Sequence, residues 1–232
     1  MVKGIGRAVL FGDVEAPYHP VQAVEQDVTA ILAPSFSVET VVEYGDALEG
    51  QSSLHADVII SYADRWTEKL TEKQADGLLA YVWEGGGLVS LHCGISLAIH
   101  ERLLPLFGAK FTGHPPFQPL KFVPVSEARK ANTEGEATAS EEADRSAALL
   151  AAIESFELDE EPYRYEFADA PNGDREVLLQ YGHEGALHPA VWTQAYGLGR
   201  IINVMPGHTA DSLSHPAVRR LLLAATKWAA RG

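Results

Sequence analysis

Glu84-Gly85-Gly86-Gly87-Leu88-Val89-Ser90-Leu91-His92-Cys93-Gly94-Ile95-Ser96 decides the fold. The glycines stop a helix, because a residue past a helix end commonly takes a left-handed backbone that glycine adopts without strain. The apolar run Leu88 to Leu91 reads as a buried strand. A second helix is expected from about Ser96 to Leu106. A strand that turns sharply into a helix lifts one side chain above the sheet edge, the geometry of a nucleophile elbow. Such a turn is crowded, and small residues are needed two places before and two after the raised one. With His92 raised, those places hold Ser90 and Gly94; with Cys93 raised, they hold the bulky Leu91 and Ile95. The register therefore favours His92 at the elbow. A plain strand–loop–helix around a satisfied core histidine is the competing reading.

Toward the N-terminus, Arg7 to Gly12 is a short apolar run that reads as a buried first strand, followed by the loop Asp13 to His19. Pro20 suits a first helical turn, and Val21, Val24, Val28, Ile31 and Leu32 supply an apolar stripe before Pro34. Ser37 to Val42 and Asp57 to Tyr62 read as strands. Thr71-Glu72-Lys73-Gln74 fits a capping box, opening a helix through Ala75, Leu78, Leu79 and Val82. Strands alternating with helices imply a parallel, doubly wound sheet. Ligands in such sheets sit beyond the carboxyl ends of the strands. Asp13 to His19, Tyr62 to Trp66 and His92 all fall there.

Toward the C-terminus, Phe107 to Pro116 is turn-rich and Leu120 to Val125 reads as a strand. Residues 126–148 are polar and rich in small residues, which suggests a solvated surface insertion rather than a domain boundary. Residues 1–232 are thus expected to form a single domain. Phe156 to Phe167 interleaves five carboxylates with aromatics. Asn172-Gly173 is a hairpin signal. Val177 to Tyr181, Ala190 to Gln194 and Ile201 to Met205 read as strands, and antiparallel pairing is expected after Glu157. The last strand runs into Pro206-Gly207-His208. A final helix is expected from His215 to Ala230, capped by Ser214, with Pro216 in its first turn.

The bulk properties exclude several classes of function. The 232 residues are 46% hydrophobic, ample for one core. A net charge of −14 opposes nucleic acid or an anionic membrane as partner. No apolar stretch is long enough to span a bilayer, and a lone cysteine cannot form an internal disulfide. A cytoplasmic location is the expectation.

Taken in order, several motifs resemble the ThuA-like (trehalose utilisation) family, from Arg7 to the C-terminus. They are Gly85-Gly86-Gly87-Leu88-Val89-Ser90-Leu91-His92, Phe111-Thr112-Gly113-His114-Pro115, Asp159-Glu160-Glu161-Pro162-Tyr163, Trp192 to Arg200, Pro206-Gly207-His208, His215-Pro216 and Lys227-Trp228-Ala229-Ala230. The resemblance implies an α/β three-layer sandwich, class I glutamine amidotransferase-like and flavodoxin-like. Its sheet would be mainly parallel with added antiparallel strands. In the amidotransferases a cysteine occupies the elbow; here it is His92, so glutaminase activity is not implied. The implied role is catabolism of trehalose-type disaccharides and their 3-keto derivatives, the latter made by a partner sugar dehydrogenase. A His-Asp pair often follows the first strand in the family, whereas here His19 precedes Pro20.

His92, His208, Glu161 and Tyr163 are the expected catalytic residues, with His19, Asp13 and His114 expected at the substrate. Imidazole near neutral pH serves as general base or metal ligand. His19, His92 and His208 are the candidate ligands of a divalent metal such as zinc. Without metal, the same groups suit proton abstraction beside a sugar ketone, with Tyr163 donating to the developing oxyanion. A non-catalytic domain that binds carbohydrate or a protein partner is the alternative, and a homo-oligomer is compatible with either. His55, His100, His183 and His188 are read as surface or structural.

Overall fold

The computed structural model describes residues 5–42, 44–50, 55–125, 141–169 and 175–231. In chain order, β1 (Gly6–Gly12) leads through a 3-10 turn (Val21–Ala23) into α1 (Glu25–Leu32), β2 (Phe36–Val41), α2 (Tyr44–Glu49) and β3 (Val58–Tyr62). Next come α3 (Glu72–Trp83), β4 (Gly87–Leu91), a 3-10 helix (His92–Ile99), α4 (Leu104–Phe107), β5 (Ala109–Gly113) and β6 (Gln118–Pro124). The remainder is α5 (Glu141–Ala152), β7 (Phe156–Glu160), β8 (Arg164–Phe167), β9 (Glu176–His183), β10 (Ala186–Tyr196), β11 (Gly199–Val204), α6 (Ala210–Ser214) and α7 (Pro216–Ala229).

Nine strands form one sheet in the order β2-β1-β3-β4-β11-β10-β9-β6-β7. From β2 to β11 every pairing is parallel; from β11 outward every pairing is antiparallel. A separate antiparallel ribbon pairs β5 with β8. The α/β architecture, a parallel sheet with added antiparallel strands, is the one the motifs implied. β3 and β4 are buried along their whole length, as central strands covered on both faces must be. Right-handed crossovers place α1 and α3 on opposite faces, since β2 and β3 flank β1 on opposite sides. α7 packs with α1, α5 and α6, and α2 packs with α3, giving the two helical layers.

The Thr71 hydroxyl accepts from Gln74 N, and the Gln74 side chain accepts from Thr71 N, so the capping box is complete. The stripe Val21, Val24, Val28, Ile31 and Leu32 is buried as its spacing requires.

Several expectations need correction. The expected helix Ser96–Leu106 is instead the 3-10 helix followed by short α4. Pro105 lacks an N–H to continue a helix and sits in the first turn of a new one. The turn-rich segment contains β5, and β6 is already antiparallel before Glu157. Of the expected insertion, residues 126–140 lie outside the described residues, while 141–152 form α5 against α7. Asn172-Gly173 also lies outside them. The cap of α7 is His215, whose Nδ1 accepts from Ala217 N; Ser214 instead donates to Asp211 O.

Candidate active site

β1 and β3 are neighbours whose next strands lie on opposite sides, which makes the crevice between their carboxyl ends the switch point of the sheet. Loops after β1, β3, β4 and β11 bring His19, Asp64, His92 and His208 to this edge. The segment joining β7 to β8 adds Glu161 and Tyr163.

His92 sits at the elbow. Its φ is +45°, a left-handed backbone that costs a non-glycine residue free energy and marks a strained, over-determined site. Gly94 is required: a Cβ there would lie 1.8 Å from Ser61 O. Cys93 is fully buried, and its Sγ donates to Tyr62 O at 3.3 Å. Burial and the nearby carboxylates Asp64 and Asp13 push this thiol well above its ordinary range. Such an environment disfavours the thiolate that a nucleophile needs.

Three imidazole nitrogens face one carboxylate oxygen. Glu161 Oε2 lies 3.3 Å from His92 Nε2, 3.6 Å from His208 Nδ1 and 3.8 Å from His19 Nε2. The four donor atoms lie within 4.8 Å of one another. His19 Nε2 and His208 Nδ1 are buried and have no hydrogen-bond partner. Ligands about 2.0–2.1 Å from a tetrahedral zinc are about 3.3–3.4 Å apart, close to these separations. The outer nitrogens are already held: His19 Nδ1 lies 3.0 Å from Asp64 Oδ1, and His92 Nδ1 donates to Met205 O at 2.8 Å. Such outer partners fix the ring and the tautomer of metal-binding histidines. Thus two buried orphan nitrogens, a carboxylate and oriented rings fit a divalent cation. A second grouping, His19, Asp64 and Cys93, is less suited to a cation, since Asp64 Oδ1 already faces His19 Nδ1 and the Cys93 thiol, kept protonated by burial, donates to Tyr62 O.

The charges are uneven. Burial lowers His19, yet its bonds to Asp64 and Glu161 outweigh this and leave it raised, to about 9. Burial lowers His92 despite Glu161. Burial and the charge of neighbouring His92 bring His208 down to about 4. Burial alone would raise Glu161, but His19 and His92 hold it well below the carboxylate range. Glu160 is fully buried and accepts from Gly207 N at 2.9 Å and His208 N at 3.3 Å, which fastens the loop after β11. Burial pushes it up.

Tyr163 lies against His92 with ring centroids 4.4 Å apart, and burial raises its phenol well above the ordinary range. His114 Nε2 approaches the other Glu161 oxygen to 3.7 Å, while its Nδ1 donates to Pro115 O. Of the residues expected at the site, His19, His92, His208, Glu161, Tyr163 and His114 therefore converge. Asp13 lies behind it. Asp13 accepts from Tyr44 Oη, Asp64 N and Arg65 Nε, so it braces the loop after β3. Asp64 is not singled out by the sequence, and Glu160 and Asp159 stand there only as rivals of Glu161, one residue of strand register apart. The signal for Asp64 and Glu160 is position only, one just past β3 and one at the end of β7.

With this geometry in view, a family model described as trehalose utilisation, ThuA, matches residues 8–229. The chain belongs to the ThuA family. Membership supports a role in carbohydrate metabolism. A ThuA-like protein of Bacteroides uniformis is similar in structure at a TM-score of 0.70 and 19% identity, covering 98% of this chain and 93% of that one. A ThuA-like protein of Parabacteroides merdae gives 0.68 and 16%, covering 97% and 90%. The cold-adapted β-galactosidase of Rahnella sp. R3 gives 0.56 and 16%, covering 87% of this chain but 28% of that one. At such identities these likenesses concern the fold. No curated protein matches the chain in sequence. No helix among the described residues is long and apolar enough to cross a membrane.

Proposed function

We propose that this ThuA-family protein is an enzyme acting on a keto-sugar or glycoside of the trehalose type, at a divalent-cation centre formed by His19, His92, His208 and Glu161. The observation that carries this reading is the convergence of three histidine nitrogens on Glu161 Oε2 at the strained elbow. A cation held by these residues, if it also admitted the substrate carbonyl, would polarise it and offset charge developing on its oxygen.

The protein's own groups have separate tasks. Asp64 and Met205 O hold the rings of His19 and His92. Tyr163, whose ring lies against His92 and whose phenol burial keeps protonated, would donate to a developing oxyanion. With four donors committed to the cation, His114 is the imidazole left to take a proton from the carbon beside the ketone. Its Nδ1–H is tied to Pro115 O, which leaves the Nε2 lone pair directed at the site. Return of that proton to the neighbouring carbon gives isomerisation. Expulsion of the glycosidic oxygen from the next carbon gives elimination and breaks the disaccharide. A dehydrogenase that oxidises a ring hydroxyl would supply the substrate. A cytoplasmic location belongs to the same reading. A glutaminase reaction does not, because the thiol is buried and the thioester route is closed.

The test follows 3-keto-trehalose and glutamine side by side with pure, zinc-supplemented protein. Consumption of the keto-sugar without ammonia release is expected. Ammonia from glutamine with the keto-sugar unchanged would overturn the reading. Saturable sugar binding without turnover would turn it into a carbohydrate-binding domain.

A further inference from the structure

Two aromatic side chains stand beside this centre with much of their surface in water: Tyr18 is 76% exposed and Phe117 is 49% exposed. The Tyr18 ring lies 6.4 Å from the His19 ring. The Phe117 ring meets the His208 ring edge-on at 5.7 Å. His19 and His208 are themselves 5.0 Å apart, so the two aromatics flank one centre from two separate loops. One loop follows β1; the other joins β5 to β6. Val14, in the Tyr18 loop, adds a third exposed apolar side chain at 46%. A single exposed aromatic is unremarkable on a surface. Two at the rim of a polar, buried cluster make an apolar border around a hydrogen-bonding floor, the pattern of a small-molecule site.

The electrostatics narrow the ligand. Among the described residues, no lysine or arginine pairs with Glu160 or Glu161. Arg65, in the loop after β3, is turned toward Asp13, Tyr44 and Glu68. Apart from the proposed cation and its histidines, the described residues give an anionic ligand carboxylates and no lysine or arginine contact at this rim. A pyranose ring suits both features, since its C–H face packs on an aromatic ring while its hydroxyls face the floor.

We propose that Tyr18 and Phe117 form a subsite for the non-reacting ring of an uncharged disaccharide. This deepens the functional reading and rests on it for the sugar itself. The aromatic ring, rather than the Tyr18 hydroxyl, makes the contact, so Tyr18→Phe and Phe117→Tyr retain binding. Tyr18→Ala and Phe117→Ala each lose it by about fivefold to tenfold. Both side chains are exposed, so the Ala variants keep their fold and their zinc content.

The experiment measures binding of trehalose and 3-keto-trehalose by calorimetry and by saturation-transfer NMR, with turnover followed separately. The expected result is weaker binding in each Ala variant and wild-type binding in Tyr18→Phe and Phe117→Tyr. Ala variants that bind like wild type would overturn the subsite whether or not turnover occurs. A wild-type protein that binds neither disaccharide would overturn it as well. Binding that depends on the two rings but leads to no turnover would keep the subsite and remove the catalytic reading.

Discussion

Asp64 holds His19: its Oδ1 lies 3.0 Å from Nδ1, in a side chain almost wholly buried. The same contact sets the ring so that Nε2 faces Glu161. Asp64 is itself held by Asp13, which accepts its backbone N–H at 2.8 Å. Asp64→Ala is therefore expected to weaken zinc binding by about 10-fold to 100-fold, as loss of an outer carboxylate partner does elsewhere. Competition dialysis against a chelator of known affinity measures this. Unchanged affinity would mean that the His19 ring is positioned by packing alone.

His92 and Cys93 are adjacent and make opposite predictions. Cys93→Ala removes a buried thiol that donates to Tyr62 O, and it is expected to keep activity. His92→Ala removes the elbow imidazole and is expected to abolish it. Progress curves with 3-keto-trehalose for the two variants decide the matter. Activity lost in Cys93→Ala and kept in His92→Ala would reverse the assignment.

Much of this is legible in the sequence alone. The capping box at Thr71 and the stripe from Val21 to Leu32 are local patterns, and local sterics determine them. The small residues Ser90 and Gly94 predicted the elbow because crowding against Ser61 O leaves no room for a Cβ at Gly94. Other features depend on partners far away in the chain. β5 became a strand by pairing with β8, more than fifty residues later. Glu160 and Glu161 could not be separated from sequence, because neighbours at a strand end point to opposite sides. In the fold, Glu160 turns to the backbone of Gly207 and His208, and Glu161 turns to the histidines. Asp13 looked like a ligand-facing residue, yet the Tyr44 hydroxyl and the Arg65 guanidinium claim its carboxylate.

Stability of the metal-free protein should depend on pH through histidines with opposite slopes, His19 on one side and His92 and His208 on the other. His19 is raised from 6.5 to about 9, so its contribution is fully present below pH 6.5 and is lost as pH rises toward 9. His208 is lowered from 6.5 to about 4, so the unfolded chain binds more protons between those values. Its contribution is present above pH 6.5 and is lost as pH falls toward 4. Glu161, held low, adds a further loss once pH drops below the ordinary carboxylate range. Urea unfolding across pH 4 to 9 is expected to show a maximum near pH 6.5, and His19→Gln should flatten the alkaline side. An unchanged alkaline slope in His19→Gln would show that the His19 pairing does not contribute.

The central claim is that His19, His92, His208 and Glu161 together hold a divalent cation. Zinc titration of chelator-treated protein, followed by calorimetry in buffers of different ionisation enthalpy, tests it most directly. The predicted result is one tight site per chain in the wild type, with a proton released as His19 gives up its charge. That site should be lost in His92→Ala. Absence of stoichiometric zinc binding in the wild type, or equal binding in His92→Ala, would contradict the account.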